Sequence, residues 1–90
     1  MKQHDRVVIP ERVLVQQLVN ETVILDLDSG TYFGLDEVGT QVWQLLGQGL
    51  TVAEICAVLI AEFEVSRETV ERDLAALTDE LLSHNLMTVV

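Results

Sequence analysis

The segment from Leu25 to Trp43 constrains the fold of this chain more than any other part of the sequence. It contains the end of an alternating strand, the turn pair Ser29–Gly30, a short apolar strand at 31–35 and a helix start at Asp36. Gly30 is free to adopt the positive φ that tight hairpin turns need. The order strand, turn, strand, helix predicts an antiparallel hairpin that leads directly into a helix.

Two further segments complete a predicted three-stranded antiparallel meander. Residues 13–19 are rich in β-branched side chains and predict a first strand, which the turn 20–21 connects to the next one. Residues 22–28 alternate in polarity and predict a second strand. Its expected apolar face carries Val23, Leu25 and Leu27, and its expected solvent face carries Asp26 and Asp28.

Local signals predict three helices after the strands. Asp36 can cap the first helix, which the glycines at 47 and 49 end. Thr51 and Glu54 have the spacing of a capping box for the second helix. Ser66 can cap the third, and Asn85 can end it in the left-handed conformation with Leu86 folding back.

Apolar residues at helical spacing give each helix a predicted inner face. Three strands followed by three helices predict an α+β fold of winged helix-turn-helix type, with a domain at 12–90, a flexible lead-in at 1–11 and a short extended tail at 87–90. The predicted stripes are Val38, Val42, Leu45 and Leu46 beside Trp43, then Ile55, Leu59 and Phe63, then Val70, Leu74, Leu77 and Leu81.

Charge and cysteine content exclude several classes of partner. Fifteen acidic residues against five basic ones give a formal net charge of −10, which repels nucleic acid and anionic membranes. The third helix is itself acidic, so a DNA-reading role is not expected. The longest apolar run, 55–61, is too short to span a membrane. A single cysteine suits a reducing compartment, so we expect a cytoplasmic protein.

No group of residues predicts catalysis, a metal site or a cofactor. His4 and His84 lie at opposite ends of the chain and have no second ligand at a useful spacing. Cys56 lies on the second helix with neither a base nor an oxyanion donor at a recognisable spacing. We therefore predict a protein that is not an enzyme.

The third strand, at 31–35, has the sequence of an open sheet edge. It contains neither lysine nor proline, the usual protections of an edge, and Gly34 leaves room for another backbone to approach. Either the C-terminal tail or a second copy could cover this edge. The interpretation that assigns this edge a function is β-augmentation, in which a guest peptide adds a fourth strand.

Several segments, in this order and spacing, resemble the PqqD-like family over roughly residues 10–90. Asn85 stands where glycine is common in that family, and asparagine also tolerates the left-handed conformation. The segments that carry the resemblance are 27–36 with Gly39 and Trp43, then 49–55, 63–66, Asp73 and Leu74, and finally Leu81 and Leu86.

The resemblance implies a function in the biosynthesis of ribosomally made, post-translationally modified peptides. Such proteins hold the leader of a precursor peptide as an added strand, present it to a modifying enzyme, and catalyse nothing themselves. The segment 32–39 is most similar to stand-alone members of lasso peptide pathways, whose partner is a separate leader-cleaving cysteine protease working with a cyclase. A chaperone for the precursor of pyrroloquinoline quinone, with a radical enzyme as partner, is the alternative.

For this chain, the resemblance implies that the leader peptide binds between the third strand and the third helix. The opposite helix flank (Glu71, Ala75 and Thr78) stays open as a second interpretation, and pairing of third strands in a homodimer is a competing hypothesis. The predicted peptide-binding residues are Tyr32, Phe33, Gly34 and Leu35 on the strand, Asp73, Ala76, Leu77 and Glu80 on the helix, and Val70 and Leu74 in the groove floor.

Overall fold

The structure, a computed structural model, describes Lys2 and residues 4–90. It has an antiparallel sheet in the order β2-β3-β4, a helical layer on one face of it, and a separate β1-β5 pair. This arrangement confirms the α+β prediction. The elements are β1 (Val7–Val8), β2 (Val13–Gln17), β3 (Thr22–Asp26), β4 (Thr31–Leu35), α1 (Glu37–Gly47), α2 (Val52–Phe63), α3 (Arg67–Ser83) and β5 (Thr88–Val89).

The face of β3 that packs against the helices is not the predicted one. Thr22 and Ile24 are fully buried, whereas Val23 and Leu25 are only half-buried and Leu27 lies in the following loop. The Thr22 hydroxyl donates to the Thr40 hydroxyl at 2.9 Å, so a polar residue is satisfied inside the core. The prediction of an inner Val23–Leu25–Leu27 face was therefore wrong, because the alternate positions, Thr22 and Ile24, are the ones that face the helices.

The loop between β3 and β4 is longer than the predicted two-residue turn. Residues 27–30 form it, and the Gly30 N–H donates to the Asp26 carbonyl at 2.8 Å with Gly30 at φ 71°. Asp26, predicted to face solvent, is instead mostly covered and lies 3.8 Å from the Arg12 Nε. Only Asp28 points into solvent as expected.

The three predicted helix caps are confirmed. The Asp36 carboxylate accepts from the Gly39 N–H at 2.8 Å, and the Ser66 hydroxyl accepts from the N–H three residues later. Thr51 and Glu54 bond each other reciprocally, as a capping box requires. Within the part of the chain that the structure describes, no helix is long and apolar enough to cross a membrane.

Both predicted helix ends are also confirmed. Gly49 has φ 89°, and the Leu50 N–H returns to the Leu45 carbonyl after α1. Asn85 has φ 57°, and the Leu86 N–H returns to the Leu81 carbonyl after α3. Leu86 is buried, so the end of α3 is fixed by both a hydrogen bond and packing.

The core lies between the inner face of the sheet and the three helices. Four members of the predicted stripes are not fully buried in it: Val38 is 43 % exposed, and Leu45, Phe63 and Leu77 are half-buried. On α3, Thr78 takes the buried position next to Leu77. The residues that fill the core are Ile24, Leu35, Val42, Trp43, Leu46, Ile55, Cys56, Leu59, Val70, Leu74, Leu81, Leu86 and Met87, with Val7 and Val13 at its edge.

The segment predicted as a loose lead-in contributes a strand. Val7–Val8 pairs antiparallel with Thr88–Val89, and the Val90 N–H donates to the Arg6 carbonyl at 2.9 Å. Val7 is buried against the core, which explains why this part of 1–11 is held. Met1 and Gln3 of the same segment lie outside the described residues.

The capping box gives the stability of the fold a defined dependence on pH. Bonds from the Thr51 backbone N–H and hydroxyl lower the pKa of Glu54 below its ordinary value. A carboxyl whose folded-state pKa is depressed stabilises the protein above its unfolded-state pKa, about 4.3, and loses that contribution as the pH falls. We expect thermal unfolding of Glu54→Gln to depend less on pH between about 6 and 3 than that of the parent.

Glutamine can accept the same backbone bond, so the two proteins should have similar melting temperatures at neutral pH. Parallel pH profiles for the parent and Glu54→Gln would contradict this assignment.

Candidate functional site

The outer edge of β4 is open. β4 is the last strand of the β2-β3-β4 sheet, and the C-terminal strand β5 pairs with β1 instead of covering it. Among the described residues, β3 is the one strand paired with β4. The interpretation in which the C-terminal tail covers this edge is therefore wrong.

The direction of the unpaired backbone groups follows from the register. The Leu27 N–H donates to the Arg12 carbonyl at 3.1 Å, and in an antiparallel pair the bonded positions alternate along the strand. Val23 and Leu25 therefore bond to β2, while Ile24 bonds to its partner Phe33 on β4.

The backbones of Tyr32 and Gly34 point the other way, to the open edge. Each presents one N–H and one carbonyl that β3 does not use, because alternate residues of a strand direct these groups to opposite sides. Backbone polar groups are strong hydrogen-bonding sites, so this edge is ready to pair with an extended peptide.

Side chains of β4 divide between the two faces of the sheet. Phe33 and Leu35 lie on the helical side, where the Phe33 ring packs 5.5 Å from that of His84 and Leu35 is buried. Tyr32 lies on the opposite face and is 70 % exposed. An ideal Cβ placed on Gly34 meets no atom within 4 Å, so the backbone there is freely approachable.

A cavity adjoins this edge, and we call it the central groove. It runs between β4 and the flank of α3 that carries Asp73, Leu77 and Glu80. Its base is the start of α1, where a Cβ at Gly39 would lie 3.2 Å from Asp36 Oδ1 and 3.3 Å from the Leu35 Cβ, so glycine lets the helix begin this close to the strand without displacing either side chain. The central groove is lined by Phe33, Gly34, Leu35, Asp36, Val38, Gly39, Asp73, Leu77 and Glu80.

The geometry separates the two flanks of α3 that periodicity left open. Glu71, Ala75 and Thr78 line a different cavity, together with α2 and Cys56. Ala76 is exposed and is not among the lining residues of the central groove, because it lies further round the helix towards solvent. Contact between a guest and Ala76 therefore stays a prediction.

An apolar cavity continues the central groove towards α2, and we call it the apolar end. It shares Val38, Asp73 and Leu77 with the groove and has a volume of about 300 Å³. One water occupies about 30 Å³ of liquid, so the apolar end has room for side chains. Its other lining residues are Val42, Leu59, Phe63, Val65, Thr69, Val70 and Leu74, which places the predicted floor residues Val70 and Leu74 here.

Sequence reasoning missed Val38, Phe63 and Val65 as groove residues. Val38 and Phe63 were assigned to the core stripes because their spacing fits an inner face. The signal that could have found this cavity was Val65. It is an apolar residue in the short connection between two capped helices, outside every helical stripe, and it lines the cavity.

A polar cavity lies at the other end of the groove and shares Phe33 with it. Thr31, Ser83 and His84 line it together with the loop after β3. Arg12 holds this end together, since its guanidinium donates to the Asn85 carbonyl at 2.6 Å and lies 3.5 Å from Asp28.

Carboxylates dominate the electrostatics of the central groove. Asp36, Asp73 and Glu80 are among its lining residues, and the lining includes neither lysine nor arginine. Asp73 lies 3.7 Å from the Arg72 Nε, but both side chains are more than 70 % exposed, so this ion pair is weak. The groove therefore favours basic or polar guest residues over acidic ones.

The side chains that could act as nucleophiles or metal ligands lie outside the groove and do not form a catalytic or metal-binding group. Cys56 is buried at the base of α2, and burial and the nearby Glu71 raise the pKa of its thiol. In the described chain, no three His, Cys, Asp or Glu side chains are grouped closely enough to hold a metal ion. The site therefore consists of an open strand edge and an adjacent groove whose carboxylates favour basic or polar guest residues.

Comparison with known proteins gives a consistent result. The family model described as coenzyme PQQ synthesis protein D (PqqD) matches residues 21–87. The solved structure of TbiB1 in complex with the TbiA(beta) leader peptide is 42 % identical with a TM-score of 0.82, over 88 % of this chain and 92 % of that one. A lasso peptide synthetase B1 complexed with the leader peptide is 32 % identical with a TM-score of 0.81, over 94 % and 98 %. No curated protein matches significantly.

The raised thiol pKa yields a test of the assignment of Cys56 to the core. We expect the native protein to react with a thiol reagent at pH 8 at least about tenfold more slowly than the unfolded chain, because burial limits both access and thiolate formation. Rates measured by absorbance with and without denaturant check this. Equal rates in the two states would contradict a buried thiol.

Proposed function

We propose that this chain, which belongs to the PqqD family, binds the leader region of a ribosomally synthesised precursor peptide as a strand added to β4. The observation that carries the proposal is the open edge of β4, with the backbone groups of Tyr32 and Gly34 directed outward beside a groove. Two relatives of matching fold, 42 % and 32 % identical, were each solved with a leader peptide bound, which supports the same type of guest here.

Backbone pairing would supply the sequence-independent part of the affinity. A guest paired with Tyr32 and Gly34 satisfies groups that otherwise bond only to water, each bond contributing about 0.5–1.5 kcal/mol net. Pairing also fixes the register of the guest, since alternate guest side chains then point into the groove.

Side chains entering the groove would supply selectivity. An apolar guest residue in the apolar end would contribute about 1.5–3 kcal/mol, the usual gain for burying a large aliphatic or aromatic side chain. Asp73 and Glu80 would favour a basic or polar neighbour, mainly by speeding association, because exposed ion pairs add at most about 1 kcal/mol. The predicted residues Phe33, Leu35 and Leu77 would form the walls around it.

The proposed mechanism is tethering without catalysis by this chain. A leader held on β4 raises the local concentration of the attached core peptide at an enzyme to the millimolar range. The resemblance of residues 32–39 to stand-alone members of lasso peptide pathways implies a separate leader-cleaving cysteine protease as that enzyme, and one relative is named a lasso peptide synthetase B1. The precursor is made by ribosomes, so we place the protein in the cytoplasm with it.

A second candidate is favoured by the family model itself, whose description is coenzyme PQQ synthesis. In that case the precursor would be that of pyrroloquinoline quinone and the partner a radical enzyme. Titration with leaders of both types separates the candidates, since the groove should bind one of them at least about tenfold more tightly.

A homodimer formed through β4 edges is a competing use of the same surface. Each copy carries a charge of −10, which disfavours bringing two copies together. Ultracentrifugation with and without leader decides between them, because a β4–β4 dimer must dissociate when the leader binds.

The edge-pairing claim predicts opposite outcomes for two substitutions at one position. Gly34→Pro removes an outward N–H and should abolish leader binding, with a loss of at least about tenfold, while the bonds between β4 and β3 remain. Gly34→Ala keeps the N–H and adds a methyl group in open space, so it should bind the leader as the parent does. Fluorescence polarisation with a labelled leader measures both, and circular dichroism checks the fold.

Parent-like affinity for a folded Gly34→Pro protein would contradict strand addition on β4. A loss of affinity in Gly34→Ala equal to that in Gly34→Pro would show that the space at Gly34, not its N–H, matters.

A further inference from the structure

The polar cavity at the Thr31 end of β4 continues the central groove past Phe33, and we call it the polar end. It has a volume of about 320 Å³, similar to that of the apolar end. The two cavities differ in chemistry, because the apolar end is lined mainly by aliphatic and aromatic side chains. The polar groups of the polar end come from Asp26, Ser29, Thr31, Ser83, His84 and Asn85.

The register of the sheet fixes which guest residue faces the polar end. Neighbouring residues on paired strands direct their side chains to the same face of a sheet. Thr31 lies two residues before Phe33, so both side chains lie on the helical side. A guest residue opposite Tyr32 therefore points away from the helices, whereas the guest residue opposite Thr31 points into the polar end.

Two polar side chains of the polar end are free to bond a guest. In the described part of the chain, the Ser29 hydroxyl accepts from the Thr31 N–H, and the Ser83 hydroxyl donates to the Glu80 carbonyl. The Thr31 hydroxyl and the His84 imidazole bond no other described residue, and both residues are exposed to water. A guest side chain that displaces this water must offer hydrogen bonds in return or leave both groups unpaired.

The packing of His84 fixes the position of its imidazole although the residue is exposed. The backbone N–H of His84 donates to the Glu80 carbonyl at 3.1 Å, at the end of α3. Its ring packs against Phe33, with the ring centroids 5.5 Å apart. A polar group that is already held in place selects a guest efficiently, because little conformational entropy is lost when the guest bonds it.

The charges around the polar end are already paired with one another. The Arg12 guanidinium lies 3.8 Å from Asp26 and 3.5 Å from Asp28, and it donates to the Asn85 carbonyl at 2.6 Å. A guest carboxylate would approach two acidic side chains and the negative end of the α3 dipole. A guest cation would need the position that Arg12 occupies, so the polar end favours an uncharged side chain.

We infer that the polar end is a second selectivity pocket of the groove, which takes an uncharged hydrogen-bonding side chain, such as serine, threonine or asparagine, at the guest position opposite Thr31. This inference rests on the proposed function, since strand addition on β4 defines that position. Valine at the same guest position should bind at least about tenfold less tightly, because a pocket built from polar groups rejects a guest that leaves them unpaired.

Two substitutions make the polar end apolar with little change of shape. Thr31→Val replaces a hydroxyl with a methyl group, and both residues favour strands. His84→Phe removes the imidazole nitrogens and keeps a ring that packs against Phe33. Thr88→Val is the matched control, since Thr88 is exposed in β5, which pairs with β1 away from the groove.

The measurement uses the full chain and labelled synthetic leader peptides of the precursor encoded beside it, each with one residue replaced by valine. Fluorescence polarisation of the parent should show one uncharged polar leader position at which valine lowers affinity at least about tenfold. In the double variant Thr31→Val/His84→Phe, the loss at that position should shrink to less than about twofold. Thr88→Val should keep the full loss.

Circular dichroism checks that the double variant folds, and each single variant, which should reduce the valine loss at least about threefold, replaces it if it does not. An equal valine loss in the parent and in the folded variants would overturn the inference. Tight leader binding with no valine-sensitive polar position would overturn the inference alone. A parent that binds no leader would overturn the proposed function together with it.

Discussion

The free hydrogen-bonding groups of Tyr32 and Gly34 are the constraint on which this account of the protein depends. A sheet of three strands has two edges, and here the edge of β4 is left without lysine, proline or a covering strand among the described residues. Such an edge can pair with strands of other chains and aggregate unless the surrounding structure restricts which strands can approach it. In this fold the limit is the groove, because a guest must also fit its side chains against α3 and the start of α1.

The groove exists because the chain turns immediately from strand to helix. Asp36 caps α1 one residue after β4 ends, and Gly39 allows the helix to start against Leu35. This short connection directs α1 beneath the sheet and leaves α3 free to run beside the strand edge. Residues that would complete an ideal core, above all Val38 and Leu77, are consequently only partly covered and become groove walls.

Sequence alone was sufficient wherever one short stretch determined the structure. The caps at Asp36, Thr51 and Ser66 and the left-handed Asn85 depend on neighbours within a few residues, and all were predicted correctly. The same holds for the bounds of β4, since turn signals and the helix cap flank it directly.

Sequence failed where contacts between distant elements decide. The inner face of β3 was assigned wrongly because Thr22 is buried through a bond to Thr40, eighteen positions away. Which flank of α3 meets β4 likewise depends on how α2 and α3 pack, and a periodic stripe does not encode it. The strand β1 was missed because its partner β5 lies at the other end of the chain.

Amide hydrogen exchange, followed residue by residue by NMR, tests the central claim most directly. In the free protein, the Tyr32 and Gly34 amides should exchange quickly, while that of Phe33, bonded to β3, should be protected. Addition of leader peptide should slow exchange at Tyr32 and Gly34 by at least about tenfold and leave Phe33 little changed. Unchanged exchange at Tyr32 and Gly34 in the presence of saturating leader would contradict strand addition on β4.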